Sequence, residues 1–461
     1  MGGREITADR RAWLVGELEA WTTQGLLSGD QAKGVLGLYE GGTPEGEAAR
    51  RTDRASSAVM GLGALMIGLA VLTAVAFNWQ ELSTSVRIAL ILLTLGGTYA
   101  GAWALRYRAG ARTASDVVCF LGCLLYGAGI WLVAQMFNFN VTGVEGFWWW
   151  AVGVLPFALI VGTWPLHALV ATTLAAYTAG AALGPALGWF GAAWKVAEPA
   201  WSVPILTAFG LSWAYARKSR SVLALYVALG TFWVLVQPSA WEFDATPIYW
   251  AGLVGAILML IAACHPPEAG LGIPYRFLGV LLVGGVLIPL STYAFNSEIR
   301  GQVLPTPLAI ETAAAVVLAA VLFVVAADRD RRREGRGVSL GRSVLAAPGR
   351  WFPLAMLALF AALGFWNAVV DEPIATTIGA NAAMASLAIW LTIVGTREDR
   401  GRPFAAGVAY FLLWAIARYL DLFSGFGGMP GAALMFLACG AGLVGAALLW
   451  RRLKEVPHAP A

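Results

Sequence analysis

The feature that most constrains this chain is a succession of apolar runs, each close to 20 residues long and separated by short polar links, extending from Ser57 to Trp450. A helix needs roughly 20 apolar residues to cross the ~30 Å hydrocarbon core of a bilayer, and only helices and closed barrels satisfy every backbone hydrogen bond there. Composition agrees: 59% hydrophobic residues, 13% charged residues and a mean hydropathy of +0.70 leave too few polar side chains to coat a water-soluble domain. The alternating pattern of a membrane barrel is absent. The expected fold class is all-α, a polytopic transmembrane helical bundle.

The runs predict fourteen spans, at about 57–77, 87–105, 116–137, 147–163, 166–184, 200–216, 221–237, 246–264, 276–295, 305–326, 351–370, 374–395, 404–420 and 431–450. Only Thr163, Trp164 and Pro165 part the fourth from the fifth, and the sidedness of everything downstream depends on that break. The basic residues check it. With the N-terminus in the cytoplasm, only Arg87, Lys195, Arg300 and Arg418 of the 31 Lys and Arg fall on the other face. An even count with both termini inside is expected. Residues 1–56 then form a cytoplasmic head and linker, 57–327 a first bundle of about 10 spans, 328–350 a basic cytoplasmic loop, 351–451 a second bundle of about 4 spans, and 452–461 a cytoplasmic tail.

The first 56 residues are polar and charged, so no cleaved signal is expected. The head reads as a helical hairpin. Thr7 caps its first helix, Gly25 ends it, and Ser28 with Gln31 makes a capping box for the second. Trp13, Leu14, Leu18 and Trp21 recur at helical spacing. Two short helices bury too little surface alone, so the head is expected to dock on the membrane domain, lipid headgroups or a protein partner.

Four stretches set an aromatic directly before an asparagine: Phe77–Asn78, Phe137–Asn138, Phe295–Asn296 and Trp366–Asn367. All four fall at the outer ends of outward-running spans. Aromatics favour the interface, and Asn tolerates the left-handed conformation that stops a helix. A duplicated four-helix unit, spans one to four and nine to twelve around a shared outer vestibule, is the alternative.

Polar side chains inside a bilayer are costly and are functional candidates by default. Gln135, one turn before Asn138, reads as an interhelical hydrogen bond or a ligand contact. Glu311 lies a turn or two inside a helix started by prolines, near the outer interface where it is expected to be solvated. Asn367 and Asp371 share a face and can cap a helix end or bind a cation. Arg418 and Asp421 stand one turn apart, with Trp414 within cation–π reach of the arginine; they read as an internal ion pair or an anion or headgroup clamp. His167 reads as interfacial, and His265 and His458 fall in loop and tail. Three histidines give metal or triad chemistry little to work with. Cys119, Cys123, Cys264 and Cys439 read as small hydrophobes. No phosphate-binding loop appears, and the basic segments are too scattered for nucleic acid. "GALMIGLA" (63–70) and "ACGAGLVGAALL" (438–449) read as small-residue packing faces. No cofactor is expected.

"GLLSGDQAKGVLGLY" (25–39), "AFNWQELSTSVRIALILL" (76–93), "GAGIWLVAQMFNF" (127–139), and "ARYLDLFSG" (417–425) with "LWRRL" (449–453) make the chain resemble the bacterial family of predicted membrane proteins called domain of unknown function 2157. The resemblance is firmest over 20–160 and 405–454. It implies a short cytoplasmic head followed by many spans, and carries no established activity. Where the family typically has Tyr after the Gln of the third span, this chain has Met136 and Phe137, which leaves no hydroxyl there.

Transport or handling of a lipid-like or neutral small molecule in the bacterial inner membrane is the first expectation, since no charged residue stands clearly at the midplane. A non-transporting scaffold or sensor acting through the head is the second. A membrane enzyme on a lipid-linked substrate, using Glu311, Asp371 or Asp421, ranks last because the outer loops are short. Membrane lipids and a protein partner for the head are the expected partners.

Overall fold

The computed structural model describes residues 4–5, 8–40, 66, 81–138, 144–187, 200–240, 247–265, 270–334, 348–397, 401–425 and 437. Among them the structure is helical apart from a two-residue parallel pairing, β1 (Arg4–Glu5) with β2 (Tyr39–Glu40), in which Arg4 faces Tyr39 and Glu5 faces Glu40. Residues 1–92 and 93–461 form two units. The head consists of α1 (Ala8–Thr23) and α2 (Gly29–Gly37). Gly25 adopts φ 74° at the end of α1. Ser28 and Gln31 make the predicted box, with bonds of 2.9 and 3.2 Å. Leu18 is buried, whereas Trp13 is exposed. Thr7 lies outside the described residues.

The remaining helices are α3 (Thr84–Tyr107), α4 (Arg112–Met136), α5 (Glu145–Val161), α6 (Trp164–Leu187), α7 (Ser202–Ala216), α8 (Arg220–Ala240), α9 (Pro247–Ala263), α10 (Ile273–Leu290), α11 (Tyr293–Glu298), α12 (Pro305–Glu334), α13 (Pro348–Val369), α14 (Pro373–Arg397) and α15 (Gly401–Gly425). Seven described helices are long and apolar enough to cross a membrane, and three shorter apolar ones accompany them. Twelve of the predicted spans coincide with described helices. The first and last, with the small-residue runs they contain, lie outside the described residues except for Met66 and Leu437, as do Asn78, Cys439 and His458.

Two boundaries carry physical information. Gly162 ends α5 with φ 74°, its N–H bonded to the Ala158 carbonyl at 3.0 Å, and the Trp213 ring occupies the space a Cβ would need. The fourth and fifth spans are therefore separate helices. The ninth is shorter than predicted, because α10 stops at Leu290 and Thr292 is extended. The Ser291 and Thr292 hydroxyls bond back to the carbonyls of Ile288 and Pro289, both at 2.7 Å. The "YAFNS" stretch thus starts a new helix, α11, instead of closing a span.

The second unit has two apolar cores. The first gathers α4 to α8 with parts of α3, α9 and α10; the second gathers α9 to α14, with α15 against its edge. Helix α9 belongs to both. Every residue from Gly252 to Leu260 is buried, as expected of a helix that is apolar all round. It crosses α10 at a glycine contact, where a Cβ on Gly279 would lie 2.7 Å from the Gly255 carbonyl oxygen. Indoles tie helices together: Trp150 donates to the Cys123 carbonyl, Trp213 to Leu159, and Trp250 to Val234, at 2.8 to 2.9 Å.

Candidate functional site

Amides and hydroxyls collect at one end of the second core, where α9, α12 and α14 begin and α10, α13 and α15 finish. Asn296, fully buried on α11, sends its Nδ2 to the carbonyls of Leu290 and Thr292 and to the Thr377 hydroxyl, at 2.6, 3.0 and 2.8 Å. Asn381 on α14 donates to the carbonyls of Ser291 and Thr377 at 2.9 and 2.7 Å, and its Oδ1 accepts the Trp414 indole N–H of α15 at 2.7 Å. Asn367 of α13 donates to the Tyr249 hydroxyl of α9 at 3.1 Å. Leu308 of α12 packs against Gly364, beside the Tyr249 ring. Asp371, at φ 52°, accepts from Arg300 Nε at 3.0 Å and from the Gly301 N–H at 2.9 Å, joining the α13–α14 link to the α11–α12 link.

Several buried polar atoms at this end have no hydrogen-bond partner among the described residues: Asn296 Oδ1, the hydroxyls of Thr312 and Thr376, and both carboxylate oxygens of Glu311. The expectation that Glu311 is solvated is therefore corrected. Its helix lays the stripe Leu308, Thr312, Ala315 and Ala319 onto α9 and α13, and the glutamate sits beside that stripe within the packing. In the first core the comparable atoms are spread out along α8: His167 Nε2 opposite Tyr226, the Thr207 hydroxyl opposite Gly230, and the Gln237 amide near the end.

The structure thus joins Asn367 and Asp371 to one polar end, with Glu311 one turn from Leu308 there. Arg418 is half-buried on α15 one turn beyond Trp414, and the Asp421 side chain lies outside the described residues. Gln135 and Asn138 sit elsewhere, exposed at the end of α4, which packs on α5 and α6. Gln135 makes no side-chain hydrogen bond among the described residues. The packed face of α4 runs through Cys119, Cys123 and Gly127, and Gln135 falls about 80° around the helix from Gly127. Asn138 does adopt the left-handed conformation, φ 49°, whereas Asn296 and Asn367 lie within helices and bond across the bundle.

His167 is fully buried instead of interfacial. Its Nδ1 meets the Tyr226 hydroxyl at 3.0 Å, and its ring packs on Trp213 at 4.3 Å, because α6 inserts its first turn between α7 and α8. Sequence reasoning also missed a chain past the end of α9. His265 Nδ1 lies 2.8 Å from the Ile261 carbonyl, so that nitrogen carries the proton and Nε2 accepts. With a neutral imidazole, the Tyr215 hydroxyl, 2.8 Å from Nε2, donates to it, and the Tyr275 hydroxyl, 2.8 Å away, donates to Tyr215. Two tyrosines and a histidine ending neighbouring spans were the visible signal. Cys119 and Cys123 are buried and unbridged, and Cys264 donates to the Leu322 carbonyl.

No curated protein and no solved structure matches the chain. Residues 19–167, from within α1 to the start of α6, match the family model described as predicted membrane protein (DUF2157), to which this helical membrane protein is similar over that stretch.

Proposed function

We propose that the protein handles a lipid-like or neutral small molecule in a bacterial inner membrane, holding the molecule's polar part at the Asn296 and Asn367 end of the second core. The observation that carries this reading is the group of buried, unpartnered polar atoms there, Asn296 Oδ1 and the Thr312 and Thr376 hydroxyls. Each such atom costs on the order of 1–3 kcal/mol when left unbonded. A bundle needing only cohesion would hold apolar side chains at those positions. A ligand with a donor for Asn296 and acceptors for the two threonines offsets the cost. The positive-inside distribution supports a periplasmic position for this end, and with it an outer-leaflet lipid or a solute arriving from outside.

The test is mass spectrometry of molecules that remain on the full-length protein purified in mild detergent. Thr312→Val and Thr376→Val remove hydroxyls without changing volume appreciably. The expected outcome is a bound species that disappears in the paired variant while the fold persists. A paired variant that melts higher than the parent and retains an identical set of bound molecules refutes the reading.

A further inference from the structure

Helix α12 is seated lightly. Its contact stripe is built mostly from small residues, Thr312, Ala315 and Ala319, while Ile310, Val316, Val317, Leu318, Val321, Val324 and Val325 face outward. A wholly apolar groove of about 270 Å³ separates it from α13, bounded by Val316, Ala319, Ala320, Phe323, Leu354 and Leu357. Glu311 lies one turn before that groove begins, on a helix whose surface is mostly turned outward, with both carboxylate oxygens shut from solvent and unbonded among the described residues. Cys264, at the end of α9, bonds the Leu322 carbonyl three turns along α12 from Glu311, so the glutamate falls on the α9 side of its helix.

Among the described residues, the groups around it carry no charge to balance a carboxylate. From α9 the titratable side chain at this level is Tyr249, neutral and already accepting from Asn367. From α13 there is Asn367 itself. Arg300, in the link before α12, is engaged with Asp371. The next charged residues on α12, Asp328 and Arg329, are about 25 Å away along the helix. Among the described residues no group of three or more acids, histidines or cysteines gathers to hold a metal ion. An ionised carboxylate buried among apolar groups with no counter-charge is far costlier than the neutral acid.

We propose that Glu311 is a proton-binding site: with α12 packed on α9 and α13 its side chain is the carboxylic acid, and when α12 lifts away the O–H bond breaks, the proton passes to entering water, and a hydrated carboxylate remains. This goes beyond the ligand reading and stands without it, since the occupant is a proton and the element that admits water is α12. It supplies what a proton-driven carrier needs, one titrating group whose exposure follows helix position.

The experiment is an infrared pH titration of the full chain in nanodiscs of ether-linked lipid, which lack ester carbonyl absorption, comparing the parent with Glu311→Gln and Glu311→Leu. Both variants mimic the neutral side chain, so either serves if the other fails to fold. The expected result is a carboxylic-acid C=O band in the parent that both variants lack and that disappears reversibly at alkaline pH. Absence of any such difference band throughout the folded range overturns the proposal. So does a band that persists at every pH, which marks a permanently neutral structural group.

Discussion

Replacing Gly279 by alanine tests whether the α9–α10 crossing is a backbone contact with no slack. The new Cβ would lie 2.7 Å from the Gly255 carbonyl oxygen and 2.9 Å from the Met259 amide nitrogen. Both are main-chain atoms of a helix buried all round, so neither can swing aside as a side chain would. Gly285 on the same helix is the control, since it is exposed and a Cβ there meets nothing within 4 Å. Each substitution gains about 1 kcal/mol of helix propensity, and that gain cancels when the two variants are compared. Overpacking costs typically about 1–3 kcal/mol, so Gly279→Ala should be less stable than Gly285→Ala by that amount, a shift of roughly five-fold or more in the unfolding equilibrium. Reversible unfolding in mixed micelles of increasing SDS fraction, followed by circular dichroism, measures it. Equal midpoints for the two variants would refute the reasoning, because they would mean the helices move apart at no cost.

The hydroxyl chain at the other end of α9 has a direction, and mutations should reveal it. Tyr215→Phe removes the donor to His265 and the acceptor of Tyr275 together, whereas Tyr275→Phe leaves the Tyr215-to-His265 bond intact. The first should lower stability by about 1–3 kcal/mol and the second by under about half as much, read as melting temperatures in detergent. The Arg300–Asp371 pair is solvent-exposed, at 62% and 36%, so Asp371→Asn should change stability by less than about 1 kcal/mol. Asp371→Val should cost more, since φ 52° strains a β-branched residue and the Gly301 N–H loses its acceptor. Sidedness is checked by labelling in intact cells with a membrane-impermeant maleimide and the native cysteines replaced. Ser297→Cys should react directly and Ser339→Cys only after permeabilisation; the reverse pattern would invert the assignment.

Much of the helical layout is legible in the sequence because hydrophobic run length is a bulk property that local context does not alter. The break at Gly162 was visible as a short interruption, and the Ser28–Gln31 box as a spacing. What the runs do not reveal is how many neighbours each helix has. Helix α9 and the Pro305–Ala326 part of α12 are both strongly apolar, yet one is enclosed and the other shows most of its surface outward. Whether Glu311 is solvated or shut in depends on its place beside the packed stripe of α12, which distance to the helix start does not reveal. The end of α10 was misplaced for a related reason. Ser291 and Thr292 are compatible with a membrane helix, and only their back-bonded hydroxyls and the extended backbone at Thr292 stop it.

The asparagines show why residue type underdetermines role. Asn138, Asn296 and Asn367 all follow an aromatic near the end of an apolar run, yet one is a left-handed helix terminator in the open and two are cross-bundle donors. The separating variable is whether another helix supplies an acceptor, which depends on packing between segments distant in the chain, 81 residues apart for Asn296 and Thr377 and 118 for Asn367 and Tyr249. The same variable separates structural ties from a binding site within the polar end. Asn381 has both its amide nitrogen and its amide oxygen engaged, and Trp414 has its one donor placed, so those two hold α14 to α15 and to the end of α10. Asn296 has its donors placed and its oxygen idle, and Thr312 and Thr376 have idle hydroxyls, all close to the same three helix starts. A ligand can bind only through capacity the protein has not used on itself. Substitutions at Asn381 or Trp414 should therefore lower stability, and those at Thr312, Thr376 and the Asn296 oxygen should alter occupancy.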